Sequence, residues 1–466
     1  MSGNFKRTKI GDCYITPELN AGKPLVKSGG TQTSGGTTTT ATFAAGSTVE
    51  ALYPEGGSAS LWQDLLNGCY IYFLSATTTS ALQGLAYRIT DTSWVADVLT
   101  LTTETMAAAP ASGDVCYIFG KAAAKNVSET SGKENLTRDD VMRTSLDAPS
   151  SVKGLEVSSG SADLEMIGLE NQLGNGDSHV FDVMSHILEG FGSRDVITGT
   201  LIDGTWVSKT TGDVDTGHGL VAGDFIMNGG QVVEVTNVST DTLTVAPAFD
   251  EYPVDNSEVY GCEVYTAYDT GHRTFTFTKV VDDQMVIHKG CVISLGCNAD
   301  FGSLVDAPMD FDSEGWEMID PADHAAEDSP NKPIPFITGR ASFGSSVMCM
   351  SSVDFQAGHG REQMVDTCEG RKHHVTSRAA TLALSARNKD ETLKTDWEYN
   401  GTKDKLLVQV GNTPKNTVAF FFNQAQIQDP ASMTDNGGIS YHDVSFRATN
   451  DGDDSSVVNA PKIIRF

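Results

Sequence analysis

Few residues of this 466-residue chain are spaced as a reactive site requires. Asp310-Phe-Asp-Ser-Glu-Gly315 begins like a calcium loop, but Pro321 stands where that loop places its bidentate Glu. It reads as an acidic surface loop. Gly190-Phe-Gly-Ser-Arg-Asp195 lacks a third glycine and follows a helix, so it reads as a helix stop and not a phosphate cradle. Gly339-Arg-Ala-Ser-Phe-Gly344 has one residue too many before its Ser for a nucleophile elbow. His373 and His374 are adjacent, which sends their rings to opposite faces of a strand and away from a shared metal. Asp139-Asp140 and Asp453-Asp454 read as solvated surface pairs. The 8 cysteines contain no Cys-x-x-Cys pair and read as mostly buried free thiols. The expectation is a protein without catalytic, cofactor-binding or metal-ligating residues, and not an enzyme.

Composition narrows the class further. Acidic residues outnumber basic ones 61 to 32, a formal charge of -29. Such a chain repels phosphate backbones and anionic membranes and stays soluble by self-repulsion. Met1-Ser-Gly-Asn-Phe-Lys-Arg opens without an apolar signal region, and no apolar run spans a bilayer. No membrane association is expected. The 46 glycines, with abundant Thr and Ser, suit a β-rich chain with many turns.

The elements follow from hydrophobic period. Segment 1–45 carries a strand, Cys13-Tyr-Ile-Thr16, and a flexible arm whose low-complexity part is Ser28 to Thr40. Segment 46–127 is a small β module with strands at Tyr70–Leu74, Leu85–Ile89, Val98–Thr102 and Val115–Phe119. Segment 201–265 repeats it. Asp241-Thr-Leu-Thr-Val245 matches Asp97-Val-Leu-Thr-Leu101, Gln231–Val235 matches the Leu85 strand, and Pro253 matches Pro110. Between them, 128–200 holds the strand Ser161–Ile167 and the one clear helix, Val180–Phe191. Phe181, Met184, Ile187, Leu188 and Phe191 recur there at helical spacing, with Asp177 or Ser178 as cap. Segment 266–334 adds the strictly alternating Arg273–Thr278, the strand pair Val286–Ser294, and an acidic linker from Asp306 to Asn331. Segment 335–466 is a second frame domain. In it Leu382, Leu384 and Ala386 alternate with Thr381, Ala383 and Ser385, and Val444, Phe446 and Ala448 do the same. It ends on Lys462-Ile-Ile-Arg-Phe466, an apolar end that a lone monomer has little reason to expose.

This pattern resembles the major tail tube proteins of long-tailed bacteriophages. Three places carry the resemblance. They are Arg273–Lys279 followed by Lys289-Gly-Cys-Val-Ile-Ser-Leu-Gly296, Gly160–Met166 with the helix to Gly192, and the ending. In that ending Asn423-Gln-Ala-Gln-Ile427 precedes Gly438-Ile-Ser-Tyr, Val444-Ser-Phe-Arg-Ala and a short terminal strand. The patterns are loose, cover about residues 130–320 and 335–466, and the two inserted modules depart from the simplest members.

The resemblance implies a mainly β fold: two tail-tube-type β-sandwich or barrel domains with a flanking helix, plus the two inserted modules. It implies a homo-oligomer, a trimeric ring with a pseudo-sixfold wall, stacked into a tube in the virion tail after assembly in the host cytoplasm. Its partners would be the tape measure, tail terminator and distal tail proteins. Genomic DNA would pass the lumen without specific binding. Segments 28–40 and 306–331 are the expected inter-ring contacts. The exposed strand edges and the apolar C-terminus are expected to be paired by neighbouring chains. A capsid decoration protein, a baseplate component, or a carbohydrate-binding or tail-fibre protein would share the composition without forming tubes.

Overall fold

The computed structural model describes residues 13–18, 31–44, 66–95, 98–122, 124–136, 152–169, 172–175, 182–267, 272–281, 284–319, 332–366, 370–387, 401–428, 432–436, 439–449 and 460–466. The chain is almost wholly β, as its period-two patterning requires. Two frame rings share one core. The first joins Cys13–Pro17, the line formed by Lys121–Ala122 and Ala124–Leu136, Val152–Glu165, Asp306–Asp312, Gln284–Asp300 and Phe275–Val281, which returns to Cys13–Pro17. The second joins Gly339–Phe343, Ser346–Gln356, Thr381–Arg387, Ile439–Ala448, Val418–Ile427 and Asp404–Val410, which returns to Gly339–Phe343. Gly296 to Asp300 of the first ring pairs with Ser352 to Gln356 of the second. Leu382, Leu384 and Ala386 are buried, as the alternation predicts, and join Phe311, Phe355, Phe420 and Phe446 in the common core. Each such large apolar side chain contributes about 1.5–3 kcal/mol on burial.

The helix is shorter than its periodicity suggests, Val183–Leu188. Its cap is Asp182, whose carboxylate accepts the Ser185 N–H at 2.8 Å. Asp177 and Ser178, the caps expected from sequence, lie outside the described residues. Met184, Ile187, Leu188 and Phe191 are buried in the common core.

Each inserted module is a closed barrel with one strand order. In the first, Thr31–Thr37, Thr40–Ala44, Val98–Thr103, Ala86–Val95, Tyr70–Phe73 and Ser112–Phe119 close a six-stranded barrel. In the second, Thr200–Leu201, Thr211–Asp213, Thr242–Ala246, Gln231–Ser239, Phe225–Asn228 and Glu258–Val259 follow in the same order. Single bridges, Ile202 to Val214 and Met227 to Tyr260, close the two remaining seams. Both carry a β-bulge at the same place, between Ile89 and Asp91 and between Val235 and Asn237. This register pairs Leu85 with Gln231 and Pro110 with Pro253, as the sequence match does. It sets Thr242 opposite Ser239 where Thr100 faces Ser93, so the Asp241 segment matches two residues later than its letters suggest.

Four sequence expectations are corrected. Ser28 to Thr40 is not a flexible arm over its described part, because Thr31–Thr37 and Thr40–Ala44 are barrel strands. Thr is β-branched, and Thr31 and Thr33 turn inward while Gln32 is exposed. The first module therefore starts at Thr31, not at 46, and its last barrel strand ends at Phe119. The acidic linker is strand over Asp306–Asp312 and Gly315–Ile319, because Ala307, Met309 and Phe311 alternate into the core between the acids. Residues 320–331 lie outside the described residues. The C-terminus is no free edge. Lys462–Arg465 inserts between Cys262–Ala267 and Val418–Ile427, and Ile463, Ile464 and Phe466 are buried within the chain.

Candidate functional site

The motifs weighed in the sequence are taken up by the fold. Asp310 lies on the extended strand Asp306–Asp312, which cannot curl around a cation. Ser342 of the Gly339 motif is buried and donates to the Leu407 carbonyl. Gly190 follows the short helix, and Gly192 opens the strand Gly192–Ile197. His373 is buried and His374 exposed, on opposite faces of their strand. Cys13, Cys69, Cys116, Cys262, Cys291 and Cys297 are buried free thiols and Cys349 is an exposed one, while Cys368 lies outside the described residues. Asp139, Asp140, Asp453 and Asp454 also lie outside them. No group of His, Cys, Asp and Glu among the described residues is arranged to hold a metal.

Two polar clusters escaped the sequence because their members are far apart in the chain. Ser158 Oγ lies 2.6 Å from His288 Nδ1, and His288 Nε2 lies 2.7 Å from Glu129 Oε2. The order Ser, His, carboxylate is that of an acyl-transfer triad. Here Ser158 is 1% exposed, His288 is 0% exposed, and Ser158 also accepts from Ser313. A substrate carbonyl cannot reach this oxygen, so the cluster ties three strands of the first ring together. The His288 hydrogen bond holds the Glu129 carboxyl below its usual range.

The second cluster locks the C-terminus. Arg465, fully buried, reaches Asp182 at 3.0 Å and Glu263 at 2.7 Å, and Ser185 Oγ at 2.7 Å. Tyr265 donates to Glu263 at 2.5 Å. Burial alone would lower the Arg465 pKa, but the Asp182 and Glu263 carboxylates raise it. One cation thus neutralises two buried acids and joins the helix cap, the strand Cys262–Ala267 and the chain end.

The largest ordered feature is a surface. Seven strands form one continuous antiparallel sheet: Ala124–Leu136, Val152–Glu165, Asp306–Asp312, Gln284–Asp300, Ser346–Gln356, Thr381–Arg387 and Ile439–Ala448. One face is the common core. The other is polar and acidic, in rows set by register. Glu165, Asp306, Asn298, Asp354, Ala383 and Ser445 stand in one cross-strand row. Asp300, Ser352, Ser385 and Asp443 stand in the next. Asp310 faces Ser161 and Ser294. A concavity of about 730 Å³ lies where the rings join, and among the described residues Asp300, Asp306, Asp354 and Asp443 line it without a Lys or Arg.

Like charges directly opposite each other weaken a sheet. Glu165 and Asp306 are such a pair, and Lys125 offsets them from 3.6 and 2.5 Å. The Asp306 hydrogen bond raises the Lys125 pKa in turn. Arg361 reaches across to Asp312 at 3.2 Å. The rest of the face sets its carboxylates among Ser, Thr, Asn and Gln, with two exposed cations, Arg387 and Arg447, on the strands Thr381–Arg387 and Ile439–Ala448. No protein-family model matches the chain, and no curated protein matches its sequence.

Proposed function

We propose that the chain is a structural virion protein that stacks in rings to form a phage tail tube, a conduit for DNA. The observation that carries this reading is the seven-stranded face, apolar behind and acidic in front. A lumen needs such a face, because carboxylates repel passing phosphates within a screening length of about 8–10 Å, and each added Lys or Arg would hold them. Ser, Thr, Asn and Gln keep most of the remaining surface wet, and the carboxylates outnumber the exposed Arg387 and Arg447 on this face.

Seven strands at about 4.8 Å spacing supply roughly 34 Å of wall per chain. Three chains would enclose a bore about 30 Å across between backbones, and six would enclose one about 65 Å across. This favours the trimeric ring in which each chain supplies two wall segments. Both inserted barrels dock on other parts of the frame, the first against Val280, Ile287 and Ile319 and the second against Leu407, Phe421 and Ile464. In a tube they decorate the outside. Tape measure protein would fill the lumen before DNA, with terminator and distal tail proteins closing the ends.

Negative-stain microscopy of the purified chain tests the reading. Hollow tubes or stacked threefold rings are expected; monomers at all concentrations and salts would sink it. Asp310→Lys with Asp354→Lys gives a finer check. Tubes of this variant are expected to retain short duplex DNA at low salt and release it at high salt, while wild-type tubes retain none.

A further inference from the structure

A cleft of about 750 Å³ opens between the second barrel and the second frame ring. Its walls are fixed by buried amides whose hydrogen bonds close on the protein itself. Gln409 accepts the Val232 N–H at 2.9 Å and donates to the Gly230 and Gly411 carbonyls at 2.7 Å. Gln231 donates to the Ala248 carbonyl and accepts the Asp250 N–H, each at 2.8 Å. Asn228 donates to Ser257 Oγ and the Glu258 carbonyl at 3.0 Å. These bonds make the cleft pre-formed, as ligand sites usually are.

The groups left for a ligand have mixed demands. Asp250, Glu251 and Glu258 line the cleft and call for donors. Arg340 stands among them, with Nη1 on Asp250 at 2.5 Å. Its Nε is buried and has no hydrogen-bond partner among the described residues, while the side chain as a whole keeps 18% of its surface exposed. Tyr252 lines the cleft and is 55% exposed. An anion would meet three carboxylates and a cation would meet the guanidinium. A hydroxyl both donates and accepts, so a chain of hydroxyls satisfies both, and an exposed aromatic ring offers a platform for the C–H face of a sugar.

We propose that this cleft binds a neutral saccharide, with the exposed part of the Arg340 guanidinium donating to a sugar oxygen, the carboxylates accepting from hydroxyls, and Tyr252 stacking on the ring. The proposal does not depend on tube assembly. The test is saturation-transfer NMR on the full chain with maltotriose, cellotriose and tri-N-acetylglucosamine, beside a heparin hexasaccharide and spermidine. Transfer to at least one neutral trisaccharide is expected, together with a loss of about tenfold or more in affinity in Tyr252→Ala and in Arg340→Met. Tyr252 is a rim residue, and an unchanged melting temperature in Tyr252→Ala shows that the fold is intact. Binding of none of the neutral sugars, binding of heparin or spermidine instead, or an unaffected Tyr252→Ala would each overturn the proposal.

Discussion

The two inserted barrels share a strand order, a bulge and a docking face, yet they are held by different forces. The first closes by continuous ladders and rests on the frame through Tyr70, Tyr72, Tyr117 and Phe119 against Tyr14, Val280, Met285 and Ile287. The second closes through single bridges and is filled by Trp206 packed on Phe249, with ring centroids 5.2 Å apart. It rests on the frame through Phe225 against Phe421 at 4.9 Å, and through the pairs Lys405 with Glu234 and Arg340 with Asp250. Tyr70 and Phe225 occupy the same register position, so the docking surface was kept while its chemistry diverged. An apolar aromatic contact seals one barrel down. A mixed contact holds the other with a polar cleft beside it. The lesson is that one barrel can serve as a fixed brace or as the wall of a site, depending on the polarity of its seam.

Seven substitutions probe that contrast, beginning with the largest effect. Arg465→Met leaves Asp182 and Glu263 buried and uncompensated, which destabilises by about 3–5 kcal/mol. Because Arg465 anchors the strand leaving the second barrel, hydrogen exchange is expected to rise there and at Lys462–Arg465 first, with the first barrel protected; uniform loss across both would break the contrast. Phe225→Ala empties the second seam and is expected to lower stability by about 3–5 kcal/mol in denaturant titrations. Tyr70→Ala at the matching position of the first seam is expected to fall in the same range, and a much smaller effect would show that the aromatic seam is not what holds the first barrel.

Asp114 of the first barrel has no counterpart in the second, where register places Ser257. Asp114 accepts from Thr78 Oγ1 and Thr79 Oγ1 at 2.5 Å, from the Thr79 N–H at 2.9 Å and from the Ala111 N–H at 2.8 Å. Burial would raise its pKa, but these bonds outweigh burial and hold it at about 2. A depressed carboxyl stabilises above its unfolded pKa of 3.8 and loses that contribution as pH falls towards about 2. The first barrel is therefore expected to loosen between these values. Asp114→Asn is expected to remove this acid step and cost about 2–3 kcal/mol at neutral pH.

His359 belongs to the frame and serves as a control for both barrels. Burial pushes its imidazole down from 6.5 to about 4, so the unfolded chain takes up a proton in that window while the folded chain does not. Stability is full above about 6.5 and declines towards about 4; His359→Gln is expected to flatten that slope without changing the Asp114 step. Smallest are Gly68→Ala and Gly223→Ala. These glycines have φ of 80° and 99°, and each donates its N–H to the bulge residue, Ile89 or Val235, at 2.9 and 2.7 Å. A side chain there costs about 1–2 kcal/mol. Equal losses at both sites would sharpen the equivalence of the two barrels, and unequal ones would limit it.

Much of the fold was legible because a half-buried strand writes itself in alternation. Thr381 to Ala386 and Arg273 to Thr278 announced their strands, and the repeat showed through Gln231 and Pro253 because the same seam demands similar letters. Composition misled where it hid a period. Thr-rich 31–44 looked like linker, and Asp306 to Asp312 looked like loop, although Thr31, Thr33, Ala41 and Phe43 turn inward in the one and Ala307, Met309 and Phe311 in the other. The helix shortened because Asp182 caps it from inside the apolar run, where the buried Arg465 makes a carboxylate tolerable.

By itself the sequence determined the β class, the local strands, the duplicated module and the acidic balance, all of which depend on neighbours a few residues away. Tertiary structure alone decided the rest. It collected Glu165, Asp306, Asp354 and Asp443 from distant strands onto one face, and it turned the apolar C-terminus inward onto Asp182 and Glu263. The physical reason is that alternation says which side of a strand is buried, whereas hydrogen-bond register between strands far apart in the chain says whose exposed side lies next to whose.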